Sequence, residues 1–214
     1  GIFNEPGALG TVCALLFIST FTRSKWWEKM LLLITGMLTF SLAFTVLIFA
    51  FVAIRICQKR IINIIYIFFF GKIFLLIPQI NFHNSALNYL GARFTITGNK
   101  LAGDNRTTDL FDEEYKRFLN SKYYWFGKGK GATLASGVSS FKSSYIVPYG
   151  IVGTFFLLGI WLITALKYCQ RNKECLIYTF LFFSSLYQRP NAIFGIYGYV
   201  LLFGGIAWMR ELKK

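Results

Sequence analysis

MLLLITGMLTFSLAFTVLIFAFVAI, residues 30–54, is a run of twenty-five residues without a charge, and its reading decides the fold. Basic clusters bound it on both sides, Arg23/Lys25/Lys29 before and Arg55/Lys59/Arg60 after. An uncharged stretch of this length is long enough to cross a hydrocarbon core of about 30 Å. Short cytoplasmic loops carry the excess of Lys and Arg, so a single crossing would leave one cluster on the wrong side of the membrane. The run also contains Gly36 and the step Thr39-Phe40-Ser41, where a helix can break. Broken backbone at membrane depth is tolerated where protein surrounds it, so the pattern predicts two half-helices that enter and return. The alternative, one tilted helix, misplaces either a basic cluster or the large loop described below.

Outward from this run, further apolar stretches lie at about 7–22, 61–80, 145–166, 175–187 and 191–209. The chain of 214 residues is 55% hydrophobic and 19% aromatic with four prolines, more apolar surface than a soluble domain of this size can bury. In lipid a helix satisfies its own backbone, so the expectation is an all-α integral membrane protein, a polytopic helical bundle in contact with a lipid bilayer. Lys167/Arg171/Lys173 and Arg210/Lys213/Lys214 complete four short basic clusters. With all four cytoplasmic, residues 1–78 hold the N-terminal transmembrane helices with the re-entrant span at 30–54, residues 79–144 form one large external loop, and residues 145–214 hold the C-terminal transmembrane helices.

The net charge of +14 would otherwise suggest a nucleic-acid partner, but 12 of the 23 basic residues sit in the clusters that set topology, and no nucleic acid is expected. Cys13, Cys57, Cys169 and Cys175 fall in or beside the apolar runs, so no disulfide framework is implied. There is no signal peptide and the first residue is Gly1, from which a longer parent chain is expected.

The external segment has nine basic residues against five acidic ones, which favours an anionic ligand. Thr108 to Tyr123 reads as a helix with Leu110, Phe111, Tyr115, Phe118, Leu119 and Tyr123 at helical spacing. Its first turn is acidic and its later turns basic, as the helix dipole prefers, so most of these charges read as a solvated face. Arg106 precedes that helix in a Gly103-Asp104-Asn105-Arg106 turn, where it can aim a guanidinium at a ligand or pair with Asp104 or Asp109. Residues 125–131, Trp-Phe-Gly-Lys-Gly-Lys-Gly, alternate glycine with Lys128 and Lys130, a pattern that can expose backbone N–H groups to phosphate but lacks the spacing of a Walker loop. His83, the one histidine, is either a general base near the membrane surface or an interfacial structural residue. With no second His or Cys nearby it makes no zinc site, and no metal is expected. Lys72 interrupts the run 61–80, where an ammonium costs roughly 2.5 to 3.5 kcal/mol unless it snorkels or faces a cavity. Arg189, between Gln188 and Pro190, is either an interface anchor or a second cation of an outer cavity.

Asn4-Glu5-Pro6-Gly7 opening a helix, Leu38-Thr39-Phe40-Ser41 in a broken span, a large loop with an Arg ahead of a helix, and residues 125–131 followed by Tyr149-Gly150-Ile151-Val152-Gly153 together resemble the O-antigen polymerase and ligase superfamily. The order of these motifs carries the resemblance across nearly the whole chain. It implies a C-type glycosyltransferase of the bacterial inner membrane that moves a glycan from undecaprenyl diphosphate to an acceptor hydroxyl on the periplasmic face, inverting, and without metal or other cofactor. It further implies that this chain is the C-terminal half of a longer protein. By the motif, Arg106 matches the family's loop arginine, with Asn105 in place of the usual Gly, and Glu5 matches its Glu-Pro glutamate. Candidate catalytic residues are therefore Arg106, His83 and Glu5, and candidate diphosphate-binding residues are Arg93, Arg106, Lys128, Lys130 and Arg189. The leading expectation is a polymerase of O-antigen, capsular or exopolysaccharide repeats, with a chain-length regulator protein as a partner. An O-antigen ligase acting on the lipid A core, using a loop histidine, is the alternative within the same chemistry. A transporter or flippase of lipid-linked sugars is the alternative outside it.

Overall fold

A computed structural model of the chain describes residues 6–59, 96–97, 100–101, 108–132, 134, 139–170, 172–190 and 196–210. The run 61–80 with Lys72, and the candidate residues Glu5, His83, Arg93 and Arg106, lie outside the described residues.

The described part is a helical bundle. α1 (Pro6–Thr20) begins on a proline, whose missing N–H and fixed φ suit the first turn of a helix. Its end is marked by Ser19 and Thr20, whose hydroxyls both donate back to the Leu16 carbonyl, at 3.0 and 2.8 Å. After a tight turn, α2 (Trp26–Leu38) starts where the Glu28 carboxylate accepts from the Lys25 backbone N–H at 3.0 Å. α2 stops at Phe40, which takes a left-handed φ of 49°. Ser41 then caps α3 (Leu42–Lys59), its hydroxyl accepting from the Phe44 N–H at 3.4 Å.

Both α2 and α3 lie along α1, in opposite senses. α2 leaves from the Phe21 end, where the Lys29 ammonium sits 4.9 Å from the Phe21 ring centroid, and reaches Gly10 at its far end, where Thr39 packs. α3 starts beside Gly7 and Gly10 at Ser41 and comes back to Phe21, with Phe51 edge-on at 5.2 Å and the Arg55 guanidinium at 5.4 Å. The two basic clusters that bound residues 30–54 therefore meet on one aromatic ring.

Two antiparallel pairs, Ile96 with Leu101 and Thr97 with Lys100, form β1 (Ile96–Thr97) and β2 (Lys100–Leu101). α4 (Asp109–Leu119) is capped by Thr108, whose hydroxyl accepts from Phe111 N–H at 3.2 Å. It buries Phe111, Tyr115 and Phe118 against Val147, whereas Leu110, Leu119 and Tyr123 of the expected apolar stripe are exposed. The stripe is thus narrower than the spacing suggests, because only one line of rings meets a partner. α5 (Tyr123–Phe126) follows directly.

A π-helical turn, Lys142–Ile146, leads into α6 (Val147–Cys169). Residues 142–169 are the one described helix long and apolar enough to cross a membrane, and only 17% of its apolar window is buried within the protein. Phe155 and Ile163, 72% and 68% exposed, face outward. α7 (Lys173–Gln188) is capped by Asn172, whose side chain accepts from Glu174 N–H at 3.1 Å. The chain closes with α8 (Ile196–Tyr199), a second π turn at Val200–Gly204, and α9 (Gly205–Arg210). The core gathers Leu15 and Phe17 of α1, Phe44 and Phe51 of α3, Tyr178 and Phe182 of α7, and Leu202 and Ile206 of the last segment. Close packing of these side chains, many weak contacts summed over the cluster, holds the helices together.

Candidate functional site

The bundle has two chemically distinct ends. At one, α1, α3, α6 and α9 finish and α2 and α7 begin. Lys29 and Arg55 lie over Phe21, Arg23 lies 5.4 Å over the Trp208 ring, and Arg210 lies 6.0 Å from the Tyr168 ring centroid. Arg55 also makes a two-pronged ion pair with Glu174, both contacts at 2.6 Å. The described members of the four basic clusters are thus gathered at this end.

At the opposite end, the start of α1, the break between α2 and α3, and the end of α7 converge. Small residues make this possible: Gly7, Ala8, Gly10 and Thr11 give α1 a face on which another backbone can lie close. The break sits on that face. Ser41 donates from its hydroxyl to the Gly7 carbonyl at 3.3 Å, and Thr11 donates to the same carbonyl at 3.1 Å. Thr39 turns back to the Gly36 carbonyl at 2.6 Å. A Cβ on Gly10 would stand 2.6 Å from the Ser41 Cβ, so no larger residue fits there without moving the break.

Arg189 completes the arrangement. Its backbone N–H closes α7 on the Ser185 carbonyl at 2.8 Å, and its half-buried side chain reaches α1, where Nη2 occupies the space a Gly7 side chain would take. Ser41 Oγ lies 3.6 Å from that same position. Beside it, the buried Tyr145 hydroxyl donates to the Pro190 carbonyl and ties the end of α7 to the π turn before α6. One guanidinium therefore stands where α1 and α3 both begin. Helix N-termini carry partial positive charge, so the site adds two dipoles to one cation and suits a phosphate-like anion.

The 125–131 turn lies at this end too, docked on α6. Gly150 has φ 65° and ψ −177°, which breaks the helical hydrogen-bond ladder and frees the carbonyls of Val147 and Pro148. Lys128 and Gly129 fill them, donating from their backbone N–H groups at 2.9 and 3.0 Å. The Gly127 N–H is also used, by the Tyr123 carbonyl at 2.7 Å. The expectation that this turn offers its N–H groups to phosphate is corrected for these three residues, whose donors hold the turn to α6. The side chains of Lys128 and Lys130 are exposed and remain available.

Of the sequence-derived candidates, the structure thus places Arg189 in a built setting and Lys128 and Lys130 on the surface at the same end. Sequence reasoning named Gly7 and Ser41 only as parts of motifs and passed over Gly10 and the close approach of all three; a Gly-x-x-Gly-Thr face opening an apolar helix is the signal that could have pointed to it. Among the described residues no three His, Cys, Asp or Glu side chains come together as metal ligands would. Comparison with family models, with curated proteins and with solved structures finds no match to this chain.

Proposed function

We propose that this chain is part of a polytopic protein of the bacterial inner membrane that polymerises O-antigen, capsular or exopolysaccharide repeats, transferring glycan from undecaprenyl diphosphate to an acceptor sugar hydroxyl on the periplasmic face. The observation that carries the reading is Arg189 laid against Gly7 at the two helix starts, at the end opposite the basic clusters. With those clusters cytoplasmic, the helix pair α2–α3 enters and returns, and Arg189 stands at its turn, on the side directed toward the periplasm, from which the diphosphate of a membrane-anchored carrier would approach. The outward apolar side chains of α6 support a bilayer around the bundle.

The chemistry asks for cations. A diphosphate leaving group develops negative charge as the glycosidic bond breaks, and a guanidinium can meet two of its oxygens at once. Arg189 serves that role from the bundle, while Arg93, Arg106, Lys128 and Lys130 serve it from the loop. Glu5, two residues before Gly7 in sequence, and His83 are the groups proposed to accept the proton of the attacking hydroxyl. A chain-length regulator is the proposed protein partner.

The test is deletion of the gene followed by gel profiling of the surface polysaccharide. A polymerase mutant leaves single repeats attached to their acceptor. Complete absence of attached repeats assigns the ligase reaction instead, and an unchanged profile rejects both.

A further inference from the structure

The basic end of the bundle carries exposed aromatic rings beside its charges. Seven described basic residues, Arg23, Lys25, Lys29, Arg55, Lys167, Lys173 and Arg210, stand there against Glu28 and Glu174, and Glu174 is taken up by Arg55. Trp26 and Trp27, 75% and 57% exposed, open α2 directly after Lys25, and Arg23 is stacked on Trp208. From Trp27 an exposed apolar line continues down α2 through Leu31, Ile34 and Leu38, spaced so that all four share one face. The thirteen residues of α2 rise about 20 Å, close to the roughly 15 Å of one hydrocarbon leaflet plus its interface.

We propose that this end of the protein binds an anionic phospholipid of the adjoining leaflet, its headgroup held by Arg23 and Lys25 between the indoles of Trp26 and Trp208, and an acyl chain along Leu31, Ile34 and Leu38. Charge complementarity selects the headgroup, since juxtamembrane Lys and Arg are attracted to anionic lipid surfaces. Indoles are enriched at that same depth, where one face is apolar and one edge is wet. An acidic protein partner would be attracted by the charges, but it would leave the leaflet-long apolar line below them unexplained. The proposal rests on the bilayer reading given above.

The experiment reconstitutes the full chain, with Trp125→Phe and Trp161→Phe so that Trp26, Trp27 and Trp208 alone report, into phosphatidylcholine bilayers containing brominated phosphatidylglycerol or brominated phosphatidylcholine. Bromine quenches indole fluorescence on contact, so the two titrations give a relative binding constant. A preference of about fivefold for phosphatidylglycerol is expected at low salt, falling toward one as the Debye length shrinks from about 30 Å at 0.01 M to about 3 Å at 1 M. Arg23→Gln with Lys25→Gln should abolish the preference, and Arg23→Lys should keep most of it. Equal quenching by the two lipids overturns the proposal, and so does a preference that survives removal of both charges or is indifferent to salt. Quenching by neither lipid overturns the bilayer reading itself.

Discussion

The Nη2 atom of Arg189 lies where the side chain of Gly7 would begin, so that a cation from the end of α7 rests directly on the backbone of α1. This contact ties the last long helix to the first, and a side chain at position 7 would have to displace the guanidinium. Because a guanidinium sits at the tip of a flexible side chain, the contact can be displaced without disturbing the core, which makes it open to experiment.

Gly7→Ala should push Arg189 aside and lower polymerisation at least about tenfold, the loss expected when a charge-assisted hydrogen bond of roughly 1.5 to 3 kcal/mol is misaligned. Its melting temperature should stay within a few degrees of the parent. Gly10→Ala should behave differently, because the added methyl meets Ser41 Cβ, which cannot swing away. A loss of about 1 to 3 kcal/mol of stability is expected there, read as a lower melting temperature in detergent.

Thiol labelling should separate the two ends. Cys57 is exposed beside Arg55, while Cys13, Cys169 and Cys175 are buried and give little background. An impermeant maleimide should label Asn120→Cys on intact cells and should reach Cys57 only after the membrane is opened. Cys57 labelled from outside would reverse the orientation and remove the proposed function. A cysteine at Asn172 would be a poor probe, since that side chain is buried in its capping role.

The ion pair of Arg55 with Glu174 joins α3 to α7 in a two-pronged geometry, and Arg55 also stacks on Phe21 and Phe51. A double-mutant cycle with Arg55→Met and Glu174→Gln should give a coupling of about 1 to 2 kcal/mol, above the usual range of about 0.2 to 1 kcal/mol for exposed pairs. The single change Arg55→Met should cost more than Glu174→Gln, because it also removes the two ring contacts.

Gly150→Ala places a Cβ at positive φ and drives it into the backbone of residues 125–127. The strain, about 1 to 3 kcal/mol for a positive φ combined with an extended ψ that essentially only glycine adopts, should detach the turn that Lys128 and Gly129 anchor. Limited proteolysis should then cut between residues 127 and 132 faster than in the parent, with α4 released from Val147.

Much of the local structure is written in the chain. Charge-free length, the basic pairs around residues 30–54 and the Thr39-Phe40-Ser41 step point to helices and to a break, and Phe40 is where the backbone turns left-handed. The cap at Thr108 and the dipole-matched charges of α4 are local signals of the same kind. What escaped is long-range. Nothing near Gly7 announces that Arg189, from the far end of the sequence, will lie on it, and nothing near Lys128 announces that carbonyls freed at Gly150 will consume the N–H groups of the turn. Leu110 and Leu119 have the spacing of buried residues and are exposed, since spacing defines a face and only a partner buries it.

The central claim is that Arg189 holds the diphosphate, and the chain-length ladder of surface polysaccharide tests it most directly. Arg189→Ala, Arg189→Lys and the control Lys122→Ala should be expressed in the deletion strain at levels matched by immunoblot. The account predicts collapse of the ladder to single repeats with Arg189→Ala, little recovery with Arg189→Lys because an ammonium cannot meet two oxygens as a planar guanidinium does, and a normal ladder with Lys122→Ala. A full ladder from Arg189→Ala at normal protein level would contradict it.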